Sequence, residues 1–192
     1  MKSDLAVASA VAAGAPAITE ADFADLVRDN QAMVYSIAYH FLHDGALAEE
    51  LAQDVFLQLY RSLGTMESRT HVTHWLRRVT GHRCIDVSRK QGFGLESGLD
   101  ASPEPAVHDT PADPLLRERM RKLVASLPPR QRLLVVLRYQ EEMGFEEIGK
   151  IVRMPARTAR TQLFRTLALL RDKAERLLQP RDCHGTAATE VS

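Results

Sequence analysis

Cysteine is scarce: only Cys84 and Cys183 occur in 192 residues. That excludes a disulfide framework and fits a reducing cytoplasm. Cys84 falls within a helical pattern and reads as a small buried apolar residue. Cys183 lies in a polar tail. No apolar run reaches the ~20 residues that span a bilayer, which argues against direct membrane insertion. No Gly-rich phosphate loop is present, nor a nucleophile with an evident base, so no catalytic site and no cofactor are expected. No segment alternates with period two, which argues against strands. A metal site could be drawn from His71, His74, His82 and Cys84. His82 and Cys84, two apart, point to different sides of a helix, so no metal is expected. The stretch from Met1 to Ala17 is rich in Ala and Val, with one Lys and with Asp4 where a signal peptide needs basic charge. It reads as a disordered leader.

Net charge is also lacking, at zero. The zero hides segregation. Residues 18–65 sum to −6, 66–90 to +4, 91–114 to −5 and 115–178 to +8. Two basic blocks around an acidic spacer suit two contacts with one polyanion. The spacer holds Gly92, Gly94, Gly98, Pro103, Pro105, Pro111 and Pro114. Such a density of breakers predicts a flexible linker at the boundary between two domains. The tail, residues 179–192, is polar and expected to be disordered.

What is present is helical periodicity. Phe23, Leu26, Val27, Val34, Ile37, Ala38, Phe41 and Leu42 recur at steps of three and four. Thr19 with Asp22 suggests a capping box, and His43-Asp44-Gly45 ends the helix. A second helix runs from Ala46 to Leu63, with Leu47, Leu51, Val55, Leu59 and Leu63 inward. A third reaches about Arg89, with Trp75, Leu76, Val79 and Ile85 on its buried face. Beyond the linker, Leu115–Ser126 forms a helix with Leu116, Met120, Leu123 and Val124 inward. Pro128-Pro129 ends it and opens the next. Glu141-Glu142 and Glu146-Glu147 read as solvated faces rather than paired acid–base carboxylates.

The segment Gly144–Arg165 carries the chemistry. It spells a short helix, a tight turn and a second helix bearing Arg157, Thr158, Arg160, Thr161 and Arg165. That is the pattern of a helix-turn-helix, whose second helix enters the DNA major groove. Ile148, Val152, Met154, Ala159 and Leu163 have the spacing of its internal contacts. Gly149 is small where the helices approach, and Arg153 stands where the turn favours a left-handed Gly. In the first half, Trp75–Lys90 places Arg77, Arg78, Arg83, Arg89 and Lys90 to track phosphates, with His82 and Asp86 to read bases. Three functions fit these features: a polymerase-bound promoter reader, a plain helix-turn-helix regulator, and a helical adaptor with incidental basic faces.

The residues Ala48–Arg61, followed by Trp75–Lys90, resemble region 2 of the sigma-70 family of bacterial RNA polymerase sigma factors. Leu127-Pro128-Pro129-Arg130-Gln131-Arg132 through Leu170 resembles region 4. The lack of other regions resembles the extracytoplasmic-function (ECF) branch. The resemblance implies an all-α fold of two small helical domains, residues 18–90 and 115–178. It implies that Glu50, Gln53, Asp54 and Tyr60 bind the clamp helices of the beta-prime subunit of core RNA polymerase, with the beta flap as a second contact. It implies −10 recognition by Arg77, Arg78, His82, Arg83, Asp86, Arg89 and Lys90, with a loop from Gly64 to Thr73 capturing a flipped base. It implies −35 recognition by Arg157, Thr158, Arg160, Thr161 and Arg165. It also implies an anti-sigma partner, through which the chain is held inactive, at the membrane or elsewhere. Three departures bear on promoter sequence: Arg153 at the turn, Gln162 where the family often has Arg, and no aromatic in the Thr65–Thr73 loop.

Overall fold

The structure, a computed structural model, describes residues 19–90 and 114–178. The expected leader, most of the expected linker, the tail and Cys183 lie outside the described residues. Among the described residues there are seven α-helices and no strand.

Helix α1 (Phe23–Leu42) follows a 3-10 turn, Glu20–Asp22. The Asp22 carboxylate accepts from both the Thr19 backbone N–H (3.0 Å) and its hydroxyl (2.8 Å), so the capping signal acts through the turn. His43 adopts left-handed φ 57° and closes α1 by donating its N–H to the Tyr39 carbonyl at 2.8 Å. Asp44 then caps α2 (Gly45–Ser62) by accepting the Leu47 N–H at 2.9 Å. Helix α3 (Arg69–Lys90) starts behind Ser68, whose hydroxyl accepts the His71 N–H at 3.1 Å. Leu26, Val34, Ile37 and Phe41 of α1 pack with Leu51, Val55 and Leu59 of α2 and with Val72 and Leu76 of α3. Burial of such side chains is worth ~1.5–3 kcal/mol each and holds the three-helix bundle together. Buried Asn30 fixes the register of α1 against α3. Its amide donates to the Leu26 carbonyl (2.8 Å), and its oxygen accepts the Thr73 hydroxyl (2.9 Å). Cys84 is fully buried on α3, and desolvation pushes its thiol far up.

The second half comprises α4 (Pro114–Ala125), α5 (Pro129–Tyr139), α6 (Phe145–Val152) and α7 (Ala156–Leu178). Pro114, expected in the linker, opens α4, and Pro129 occupies the first turn of α5, where its missing N–H costs nothing. Leu123, Leu127 and Leu170 form a small cluster between α4 and α7. Leu116 (41%) and Met120 (43%) are exposed, contrary to the expected inward face of α4. Only the C-terminal part of α4 meets another helix closely enough to bury an apolar residue.

The two halves touch. Helices α5 and α6 sit on α1 and α3, so Leu133, Leu137 and Ile151 join the same apolar core as Ile37 and Leu76. Arg132 donates to the Phe41 carbonyl at 3.1 Å and lies 5.0 Å over the Phe41 ring. Ser36 donates to Glu141 at 3.0 Å. Glu141 is therefore half-buried, not the solvated face expected of it, and burial raises its carboxyl above the usual range.

Candidate nucleic-acid interface

The α6–α7 pair begins with Gly144, whose N–H donates to the Glu147 carboxylate at 3.3 Å, a half capping box. Helix α6 ends at Arg153, whose φ of 56° is the left-handed conformation that Gly adopts more readily. Gly149 meets the turn directly. A Cβ there would lie 2.6 Å from the Met154 carbonyl oxygen, so only glycine lets α7 leave at this angle. Ile148, Val152, Ala159 and Leu163 are buried, with Met154 half-buried beside them.

With that inner face fixed, the opposite face of α7 is exposed. Arg157, Thr158, Arg160, Thr161 and Arg165 all lie on it. The Thr161 hydroxyl donates to the Arg157 carbonyl at 3.0 Å, leaving its lone pairs outward. Phe164, 56% exposed, sits among the arginines, with the Arg160 guanidinium 5.7 Å over its ring. Its exposure was not anticipated from the sequence. The signal was available: Phe164 follows buried Leu163, one step off the apolar face. Guanidinium, hydroxyl and aromatic groups on one exposed helix are chemistry for phosphates and base edges.

On α3, Arg78, Arg83, Asp86, Arg89 and Lys90 are exposed. At 3.6 residues per turn, Arg78, His82, Asp86 and Arg89 line one stripe. Arg77 falls on another side of the helix, half-buried near Glu141. His82 is half-buried against α6, hydrogen-bonded to the Ile151 backbone. Its imidazole is lowered below its ordinary value, mainly by burial and next by the charge of Arg153. A groove of about 290 Å³ lies between α3 and α6, lined by His71, His74, Trp75 and Arg78 on one side and Glu147 and Lys150 on the other. Trp75 thus packs partly on the core while also facing the groove. The loop expected over Gly64–Thr73 is shorter. Leu63–Thr65 is a 3-10 turn, Met66 is buried and α3 begins at Arg69, which pairs with Asp29 at 2.9 Å. That ion pair and the Ser68 cap favour helix over loop. Among the described residues, no three His, Cys, Asp or Glu side chains group to hold a metal ion.

On α2, Glu50, Gln53, Asp54 and Tyr60 are exposed on the side opposite the core. Leu57, 55% exposed, lies between them and was not singled out from the sequence. Tyr60 packs edge-on to Phe23 with centroids 5.2 Å apart. Its hydrogen bond to Glu20 and the charge of Glu20 raise its phenol. An acidic face with an exposed Leu and Tyr suits a protein surface better than a nucleic acid.

The geometry defines a helical DNA-binding protein with a helix-turn-helix and a second basic helix in a separate bundle. Comparison with known proteins identifies the family. The family described as "Sigma-70 region 2" matches residues 26–93, and "Sigma-70, region 4" matches residues 117–170. The chain is 33% identical over 153 residues to the RNA polymerase sigma factor CarQ of Myxococcus xanthus, covering 78% of this chain and 87% of that protein. It is 27% identical over 166 residues to the ECF RNA polymerase sigma factor SigW of Bacillus subtilis, covering 78% and 87% respectively. It is 30% identical over 158 residues to the ECF RNA polymerase sigma factor SigE of Mycolicibacterium smegmatis, covering 77% of this chain and 60% of that longer protein. The chain belongs to the sigma-70 family of RNA polymerase sigma factors, in its ECF branch. Among the described residues, no helix is long and apolar enough to cross a membrane.

Proposed function

We infer that this chain is a transcription initiation factor: it binds core RNA polymerase, directs it to promoters and promotes melting, with no catalytic step of its own. The observation that carries this is the ordered pair of region 2 and region 4 matches, together with a helix-turn-helix whose α7 exposes Arg157, Arg160 and Arg165.

Within that function, α7 reads the −35 element in the major groove, with Arg157, Thr158, Arg160, Thr161 and Arg165 at the duplex. The α3 stripe of Arg78, His82, Asp86 and Arg89, with Arg83 and Lys90 at its flank, engages the −10 strand. Arg77 serves better as a prop near Glu141 than as a DNA contact. The α2 face of Glu50, Gln53, Asp54 and Tyr60, with Leu57 at its centre, docks on the beta-prime clamp helices. Binding energy for the displaced strand drives melting, since this chain supplies no nucleotide hydrolysis. The beta flap and an anti-sigma protein are further partners, supported by family membership alone.

The test is run-off transcription with sigma-free core RNA polymerase and genomic fragments. Discrete starts sharing upstream elements are expected. DNA binding without transcription, under conditions where the chain is free of inhibitors, would instead identify a helix-turn-helix regulator.

A further inference from the structure

We propose that the groove between α3 and α6 is a binding site for a mononucleotide, with the base on Trp75 and the phosphate between Arg78 and Lys150. Such a site is separate from promoter recognition and needs no DNA to be filled.

The groove has a volume of about 290 Å³ and two unlike walls. His71, His74, Trp75 and Arg78 fall within one stripe of α3, and Glu147, Lys150 and Ile151 face them from α6. That volume lies near the ~300 Å³ lower end of small-molecule sites, which suits one nucleotide rather than a run of them. The charge balance is cationic. One carboxylate, Glu147, stands against the Arg78 guanidinium, the Lys150 ammonium and two imidazoles. One Glu147 oxygen is already engaged, accepting the Gly144 N–H at 3.3 Å. Among the described residues, neither Arg78 nor Lys150 is in an ion pair. Two cations on different helices, each without a carboxylate, suit one shared anion. His71 accepts the Glu67 N–H on Nδ1 at 3.4 Å, which leaves its Nε2 to carry a proton and donate.

A bare anion would leave Trp75 unused. It is the chain's single tryptophan, half-buried against the core on one side and lining the groove on the other. An indole held in this way is a platform on which any base can stack. Ile151 adds an apolar floor, and the second Glu147 oxygen can accept from a ribose hydroxyl. Ring, sugar and phosphate each then have a counterpart. A nucleotide within a DNA strand carries the same groups. The free mononucleotide is the better fit because Lys150 and Glu147 belong to α6, outside the helix assigned to the −10 strand. Arg78 is assigned to that strand as well, so a filled groove competes with it for one guanidinium. This consequence rests on the initiation-factor function, whereas the binding does not.

The test is a titration of the free full chain with AMP, followed by calorimetry and by the fluorescence of Trp75. Free tryptophan titrated in parallel corrects for absorption by the nucleotide. With one tryptophan in the chain, quenching locates the ligand directly. Saturable quenching is expected, with the same affinity by calorimetry. Lys150→Gln, on an exposed position of α6, weakens AMP binding about tenfold through loss of one charge-assisted contact, with circular dichroism unchanged. Inorganic phosphate binds more weakly than AMP, for want of a ring to stack. Absence of both heat and saturable quenching with AMP overturns the proposal. AMP affinity that Lys150→Gln leaves unchanged overturns the two-walled site, and phosphate binding as tight as AMP overturns the base contact. A short single-stranded DNA that quenches Trp75 where AMP does not assigns the groove to the strand and overturns the mononucleotide. The titration needs neither core polymerase nor promoter. Its failure therefore leaves the initiation-factor function standing, and failure of run-off transcription leaves the site standing.

Discussion

Gly149→Ala tests whether the helix-turn-helix is built around one close approach. An added Cβ would meet the Met154 carbonyl oxygen at 2.6 Å, the Ala156 nitrogen at 3.3 Å and the Ala156 Cα at 3.5 Å. All three are backbone atoms, so no side chain can rotate away. The same turn depends on the Met154 N–H donating to the Gly149 carbonyl at 3.0 Å, which ties the obstructed segment to the obstructing residue. Overpacking against an immobile wall costs ~1–3 kcal/mol, and the geometry here belongs at the upper end. Alanine also gains ~1 kcal/mol of helix propensity over glycine. The clash wins, leaving a net loss of roughly 2 kcal/mol. Two other glycines calibrate the estimate. At Gly81 the nearest atoms are the flexible Leu133 methyls at 3.1 and 3.3 Å, so Gly81→Ala nearly cancels. At Gly64 nothing lies within 4 Å, so Gly64→Ala is neutral or slightly stabilising. Urea unfolding of the three variants, followed by circular dichroism, measures the series, and duplex DNA binding reports the tilt of α7. A Gly149→Ala protein as stable as Gly64→Ala, with parental DNA affinity, would refute the close-packing argument.

Four further outcomes are expected. His43 is held down to about 4 by burial first, then by the charges of Arg132 and Arg121. Because its folded value lies below the ordinary ~6.5, its contribution is intact above that pH and lost as pH falls toward 4. The parent should therefore lose roughly 2 kcal/mol more stability than His43→Asn between pH 7 and pH 5 in paired unfolding curves. Arg153→Gly relieves a left-handed non-glycine residue and should stabilise the chain by about 1 kcal/mol in denaturant titrations. Arg160→Ala should weaken −35 duplex binding by ~1–3 kcal/mol if Arg160 reads a base, and an unchanged footprint removes it from that role. Asp54→Arg should weaken core polymerase binding roughly tenfold or more by charge reversal while sparing −35 duplex binding, and equal core affinity misplaces the clamp surface.

Much of the fold was legible because local chemistry and tertiary packing agree. Thr19–Asp22, His43-Asp44-Gly45 and Pro128-Pro129 each mark a helix end by a backbone requirement that the sequence displays. Gly149 and Arg153 announced the turn for the same reason. What periodicity cannot give is the partner of a face. Leu116 and Met120 keep helical spacing with the buried Leu123, yet stay exposed among the described residues. Leu57 and Phe164 sit beside apolar stripes and turn outward, where they join charged residues in candidate contact surfaces. Helix α3 was hardest to read because it is covered from two sides. Val72 and Leu76 pack in the first bundle, while Gly81 meets Leu133 and Ile151 of the second half. Glu141 carried no sign of burial, since its partner Ser36 is 105 residues away in sequence. Family likeness implies a loop over Gly64–Thr73, which the Ser68 cap and the Arg69 ion pairs shorten.

The buried thiol of Cys84 equips the molecule with its own clock. Thiols react as thiolates, and desolvation suppresses that form at Cys84. Alkylation must then wait for α3 to become accessible, and its rate counts such openings. In a Cys183→Ser background one sulfur atom would time the excursions of the bundle, without any probe being added to it.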